Sequence, residues 1–469
     1  MTRTALLALA LTATLPISAW AQTLPNDPFF SSQGTWGQPF ADQWALAKIG
    51  FTSKGSGTSA WDIETGEGKP VVVAVIDTGL DYYHPDLKPS SVWRNPKPAK
   101  KGEDPNGYEN DLIGWNFVEN SNNPWDNDGH GTFVSGIIAA AANNGLGIAG
   151  INWGVQIMPL KALDVFAHGK AFDVARALIY AADQGAKVIN VSIESERLTK
   201  TEQMAIDYAH QKGALVVVAA GNQGSETTGR GIVALNHAMG VAALDYIDKR
   251  AAFSNWGPHI KIAAPGVDLL SLRARRTDFM LLTGAEDYKS GESFVGPKNQ
   301  FMRSSGTSFA APLVSAVASL LWAKYPHLTN VQVERMLLES ADDVEVPGWD
   351  QLSGAGRLNA VAALKADPNY FLTAKVSQVV PVKVDGKSAI QVSGTAVGSQ
   401  FKSYELQLGQ GETPSSWKTV LKVEKKSVDD GVLGTFPVKE LTAKGQWMVR
   451  LVAQDGKKTK EARGTLDVK

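Results

Sequence analysis

The sequence predicts an α/β domain in three layers around a central, mainly parallel sheet, followed by a smaller all-β sandwich. Continuous apolar runs recur along the first part: VVVAVI from Val71, AKVINVSI from Ala186 and ALVVVAA from Ala214. Runs that are apolar throughout, rather than alternating, belong to strands buried on both faces, the condition of a parallel sheet covered by helices. Helical stretches such as AFDVARALIYAADQG from Ala171 lie between them. Beyond the turn-rich ADPNY at residues 366–370 the pattern changes to period two in AIQVSGTAV, SYELQLG, GTFPVKEL and QWMVRLVAQD, with no long helical pattern.

Taken in order, residues 1–21 carry a basic start at Arg3, an apolar stretch from Ala5 to Ile17 and the small-x-small site Ala19, Trp20, Ala21. This is the layout of a signal peptide, and the apolar run is shorter than the roughly 20 residues that span a bilayer. The expectation is a chain exported to the periplasm or beyond the cell, with a first domain over residues 22–366 and a second over 371–469. Two helices close the first domain, SFAAPLVSAVASLLWAKY from Ser308 and a segment opened by Thr329 with Gln332 three residues on, a capping-box spacing.

Charged residues make up 20% of the 469 and the net charge is -1. Nothing in that balance favours nucleic acid or an anionic membrane as partner, no later segment is expected to span a membrane, and a monomer is favoured. The cysteine count is 0, which removes thiol proteases and cysteine-ligated zinc.

Three segments offer the parts of metal-free acyl transfer: a nucleophile, a base and a group that orients the base. Asp77 ends the VVVAVI run, at the carboxyl edge of a buried strand where open α/β sheets put ligands. His130 stands between glycines in DNDGHGTFVSG, and Ser308 follows Gly306 in SSGTSFAAP at the mouth of an apolar helix. Each alone has an ordinary reading: a strand-end turn, a surface histidine, a helix N-cap. Together, IDTG, DGHGT and SGTSFAAP resemble the subtilisin-like serine proteases, in that family's order Asp, His, Ser, over residues from about 26 to 364. The GxSxG elbow of lipases and esterases is absent around Ser308.

The resemblance implies a serine endopeptidase acting on protein and peptide substrates, with Asp77, His130 and Ser308 as its triad. It implies that AAGN, residues 219–222, brings the Asn222 amide to the oxyanion, and that Ser192, Ile193 and Glu194, with Ala220 and Gly221 opposite, hold the substrate as an added strand. Strand alternation would then put Ser192 and Glu194 on one face and Ile193 on the other. Glu194 departs from the family, which usually has glycine there. It is expected to narrow the cleft or charge it, favouring basic or small side chains near the cut, against a side chain simply turned to solvent. Phe133 stands where the family usually repeats a histidine and is read as packing.

The N-terminal NDPFF and QWALAKIG resemble thermitase-like members of the family, and this implies structural calcium at Asp27, Asp86 and Asn144, all oxygen donors suited to a hard cation. A second acidic tract offers Glu103, Asp104, Asn106 and Asp111, either a further calcium site or a solvated loop, and Asp126 and Asp128 raise the same question. The roughly fifty residues between the leader and Asp77 read as mature domain, so no folding pro-segment is expected. The C-terminal stretch resembles fibronectin-like or immunoglobulin-like modules. The rival function, a silent adhesion protein that attaches through this module, is disfavoured by the intact chemical positions.

Overall fold

The computed structural model describes residues 23–52, 58–98, 107–195, 197–275, 277, 293–411 and 414–468. The leader and Glu103, Asp104 and Asn106 lie outside these described residues.

Seven strands form the central sheet: β1 (Val72–Asp77), β2 (Trp115–Asn116), β3 (Gln156–Lys161), β4 (Val188–Val191), β5 (Leu215–Ala219), β6 (Ala238–Leu244) and β7 (Ile260–Pro265). Their order is β2-β3-β1-β4-β5-β6-β7, and every pairing is parallel. The apolar runs of the sequence are β1, β4 and β5, each almost wholly buried because helices cover both faces. One face carries helices His130–Ala139 and Thr307–Lys324 in one core, and the other carries Ala171–Asp183 and Lys200–Gln211 in a second. The chain leaves β1 toward β3 on one side and continues from β4 outward on the other, so Asp77, the last residue of β1, sits at the switch point of the sheet.

Helix Thr307–Lys324 is long and apolar enough to cross a membrane by length and composition, but 89% of it is buried against the sheet, as in a core helix. The following helix, Asn330–Glu339, has the expected capping box, Gln332 N donating to Thr329 Oγ1 at 3.2 Å and Thr329 N to Gln332 Oε1 at 3.0 Å. A small antiparallel sheet of β8 (Leu269–Leu272), β9 (Phe294–Val295) and β10 (Phe301–Ser304) packs nearby in the order β8-β10-β9.

After the short helix Ala360–Lys365 the chain enters two antiparallel sheets. One joins β11 (Leu372–Val384), β12 (Lys387–Gly398) and β15 (Val428–Pro437), and the other β13 (Ser403–Gln410), β14 (Lys418–Glu424), β16 (Gly445–Gln454) and β17 (Thr459–Val468). Their facing apolar residues, among them Val392, Leu406, Phe436, Val449 and Leu451, make one core between them. The sandwich is tied back to the first domain: Thr373 Oγ1 donates to Glu339 Oε1 at 2.8 Å, Lys460 bridges the same carboxylate at 3.2 Å, and Trp349 pairs with Ala462.

Candidate active site

Asp77 is fully buried, and both of its oxygens face the imidazole of His130, at 2.8 and 3.0 Å from Nδ1. The approach needs two glycines. A Cβ on Gly131 would stand 2.3 Å from Gly79 O, and Gly79, at φ +121°, lies so close to Trp125 that a Cβ would meet its carbonyl at 2.8 Å. His130 opens its helix with a quarter of its side chain exposed. Burial alone would hold its pKa down, but the carboxylate of Asp77, then Asp128 and Asp126, push it up to about 9.

Asp126 ties the two loops together. It accepts hydrogen bonds from Thr78 Oγ1 (2.9 Å), Gly129 N (2.8 Å), Asp128 N (3.1 Å), Thr132 N (2.9 Å) and Thr132 Oγ1 (2.7 Å), placing negative charge before a helix N-terminus. Asp128 accepts from His130 N at 3.0 Å, and burial together with Asp126 pushes its carboxyl up to about 6. Lys161, paired in register with Asp77, is buried beneath them and donates to Thr78 O at 2.6 Å. Burial lowers its pKa, against the pull of Asp126 and its acidic neighbours.

Ser308 lies in the first turn of its helix, next to Phe309, whose ring is 5.3 Å from that of His130 and 4.2 Å from that of the buried Phe133. Phe133 is therefore packing that backs the site. Ser308 Oγ donates to Ser192 O at 3.2 Å, and no hydrogen bond among the described residues takes up the Ser308 N–H. Pro312, four residues on, has no N–H to offer the Ser308 carbonyl, the partner an ordinary helix would supply. A side-chain chain fills that role: Ser192 Oγ donates to Ser308 O at 2.7 Å, Asn190 Nδ2 to Ser192 Oγ at 2.9 Å, and Ser315 Oγ to Asn190 Oδ1 at 2.8 Å.

Asn222 is oriented from the same helix. Its Oδ1 accepts from Thr307 N at 2.9 Å and from Thr307 Oγ1 at 3.0 Å, which leaves the Nδ2 end as the free donor on the Gly306 side. Two N–H donors, one from Asn222 and one from the Ser308 backbone, thus stand at the start of a helix, an arrangement able to stabilise a developing oxyanion.

Ser192 and Glu194 both turn toward the side of Ser308 and Asn222, and Ile193 toward the opposite core, although the strand has ended before them. β4 stops at Val191, and Ser192 is buried because Asn190 and Ser308 claim its hydroxyl, while Ile193 is half-buried against the opposite core and Glu194 is exposed. Glu194 is not simply turned to solvent, since its Oε2 accepts from Asn222 N at 3.2 Å. Gly221, at φ +98°, lies beside it: a Cβ there would stand 2.3 Å from Asn255 Nδ2 and 3.1 Å from the Glu194 carboxyl group. Glu194 lines a small pocket with Ile193, Ala219, Ala220 and Arg230.

A profile of the Subtilase family of peptidases matches residues 68–356. The chain belongs to that family. It is 36% identical over 305 residues to a thermophilic serine proteinase of Bacillus sp. (strain AK1), a match covering 65% of this chain and 64% of the relative. It is 33% identical over 341 residues to thermitase of Thermoactinomyces vulgaris, covering 73% of this chain and 99% of thermitase. Among solved structures, a protease of Pseudoalteromonas arctica superposes with a TM-score of 0.55 at 27% identity, over 72% of this chain and 98% of that one. The subtilase chain is accordingly a subtilisin-type serine endopeptidase, a hydrolase of protein substrates.

Asp27 and Asp86 are both fully buried and both bonded to Asn144, whose Nδ2 donates to Asp86 Oδ1 at 2.7 Å and whose N–H reaches Asp27 Oδ1 at 3.3 Å. Ile148 N donates to Asp86 Oδ2 at 3.0 Å. Burial, then the charge of Asp27, pushes Asp86 up to about 7. The two carboxylates suit a hard divalent ion, but Asn144 turns its N–H donors toward them while its Oδ1 accepts from Leu146 N at 2.8 Å, and no group of three His, Cys, Asp or Glu suited to a metal occurs among the described residues. Asp111 is buried and accepts from Tyr180 Oη at 2.6 Å, a bond to the helical layer.

Thr307, Pro312, Asn190, Ser315, Thr78 and Lys161 also support the site, though the sequence does not single them out. Only Pro312 carried a local signal, a proline inside a helical pattern.

Proposed function

We propose that this subtilase is secreted and cuts protein chains through an acyl-enzyme on Ser308. Ser308 Oγ attacks the scissile carbonyl as His130 takes its proton, and His130 then gives that proton to the leaving amine. Asp77 holds the imidazole by Nδ1 and stabilises its charged form. Asn222 Nδ2 and the Ser308 N–H meet the oxyanion. The observation that carries this reading is the buried Asp77 carboxylate on His130, both oxygens within 3.0 Å, beside a helix N-terminus that presents Ser308 with an untaken N–H. In digests of a denatured protein mixture, wild type produces new peptide termini and Ser308→Ala does not. Equal cleavage by the two contradicts the reading.

Substrate backbone is received along residues 192–194 and 220–221, with Glu194 favouring a basic side chain next to the cut. Secretion is supported by the leader-like residues 1–21. Calcium would be held by Asp27, Asp86 and Asn144, where its charge offsets that of the two buried carboxylates and fastens the N-terminal segment to the loop at residues 143–148. A chelator is then expected to lower the melting temperature and added calcium to restore it, and a melt indifferent to both contradicts the calcium site.

A further inference from the structure

A cleft of about 620 Å³ lies between the peptidase domain and the sandwich and shares no lining residue with the site around Ser308. That volume is within the range of pockets that take small organic ligands, and domain boundaries are where such pockets concentrate. One wall is β7 and helix Asn330–Glu339, the other β11 and β17, with Trp349 between them. Much of the lining is apolar: Ile260, Leu338, Ala374 and Val331, the last 44% exposed.

The lining holds four cations and four carboxylates, but they do not all pair with one another. Lys261 is bridged by Glu334 at 2.5 Å, Lys460 by Glu339 at 3.2 Å, and Glu461 by Arg450 and Arg463 at 3.5 and 2.8 Å. Asp343 accepts a backbone bond from Gly348 at 2.8 Å. Two cations remain, and among the described residues no carboxylate bridges either of them. Arg335 lies 3.7 Å from the ring centre of Phe371, and the half-buried Lys375 lies 4.9 Å from that of Trp349. Burial and the charge of Lys261 hold the Lys375 ammonium below its ordinary range, eased only by Asp430. A partly desolvated cation against an indole, facing an apolar cleft, is electrostatically incomplete.

We propose that this cleft binds an amphipathic carboxylate, its anionic end at Lys375 and its apolar body against Trp349, Leu338 and Val331. Two sources share that chemistry: a fatty acid, and the free C-terminal end of an apolar peptide such as a peptidase releases. Calorimetric titration of the full chain carrying Ser308→Ala separates them, with decanoate as one arm and N-acetyl-Leu-Leu as the other. Decanol and the amide of the same dipeptide are the neutral counterparts. At least one acid is expected to bind about tenfold more tightly than its neutral counterpart, and the arm that does so names the source. Lys375→Met is expected to lose about tenfold in affinity for that acid while Lys375→Arg retains it, melting curves reporting that both remain folded. The proposal is overturned if neither acid outbinds its neutral counterpart, or if folded Lys375→Met binds the acid as the parent does.

Discussion

The two walls of the catalytic cleft are built differently. Around Asp77, His130 and Ser308 the supporting polar groups are buried and interlocked: Asp126 accepts five hydrogen bonds, and Ser192, Asn190 and Ser315 brace the Ser308 carbonyl. On the facing wall Glu194 is exposed, beyond the end of its strand, and a single bond at 3.2 Å holds its carboxylate to the Asn222 N–H. Positioning bonds are thus concentrated on the groups expected to react, whereas the residue expected to choose the substrate is held by one.

The sharpest way to break that contrast is at its most constrained point. Asp77→Asn keeps the shape but loses the charge that holds the imidazolium, and kcat is expected to fall about 10⁴-fold in a peptide-hydrolysis assay. A fall of only a few-fold would place the orienting role elsewhere.

The pH profile tests the same wall without a mutation. His130 must be neutral to accept a proton, and Asp77 raises its pKa from 6.5 toward about 9. Activity, followed as kcat/KM, should therefore rise with pH with its midpoint above 6.5. The stability contributed by the pair has the opposite sense, fully present below pH 6.5 and lost as pH climbs through about 9, because the folded state holds the proton more tightly than the unfolded chain. A midpoint at or below 6.5 contradicts the coupling.

Ser192→Ala removes the donor that replaces the N–H missing at Pro312. It leaves the Ser308 carbonyl and the Asn190 amide without their partner, a loss of about 1–3 kcal/mol in denaturant unfolding, with kcat lowered as Ser308 loosens. Unchanged stability and rate would mean that the brace is incidental.

Glu194→Gln should do least. An exposed charge contributes at most about 1 kcal/mol, so the preference for basic over neutral side chains is expected to drop roughly two- to fivefold in a peptide-library profile, with kcat on neutral substrates nearly unchanged. Identical profiles would remove Glu194 from specificity.

Sequence legibility follows the same division. The buried strands could be read because a parallel sheet demands continuous apolar runs, and Asp77, His130 and Ser308 because each stands in a short local motif. The bonds that tune them are not local. Ser192 meets Ser308 across 116 residues, Asn190 meets Ser315 across 125, and Asn222 meets Thr307 across 85. Nothing in the windows around Asn190 or Thr307 signals such partners, because the pairing is set by how β4 and β5 lie against one helix. The charge pattern of the interdomain cleft depends on Trp349 meeting β17 and was equally out of reach.

The account rests on Ser308 being a nucleophile activated through His130 and Asp77. Reaction with a fluorophosphonate, followed by intact mass and peptide mapping, tests that most directly. One adduct per chain on Ser308 is predicted for wild type, none for Ser308→Ala, and much slower labelling for Asp77→Asn. Absence of an adduct on folded wild type, or equal labelling of Ser308→Ala, would contradict it.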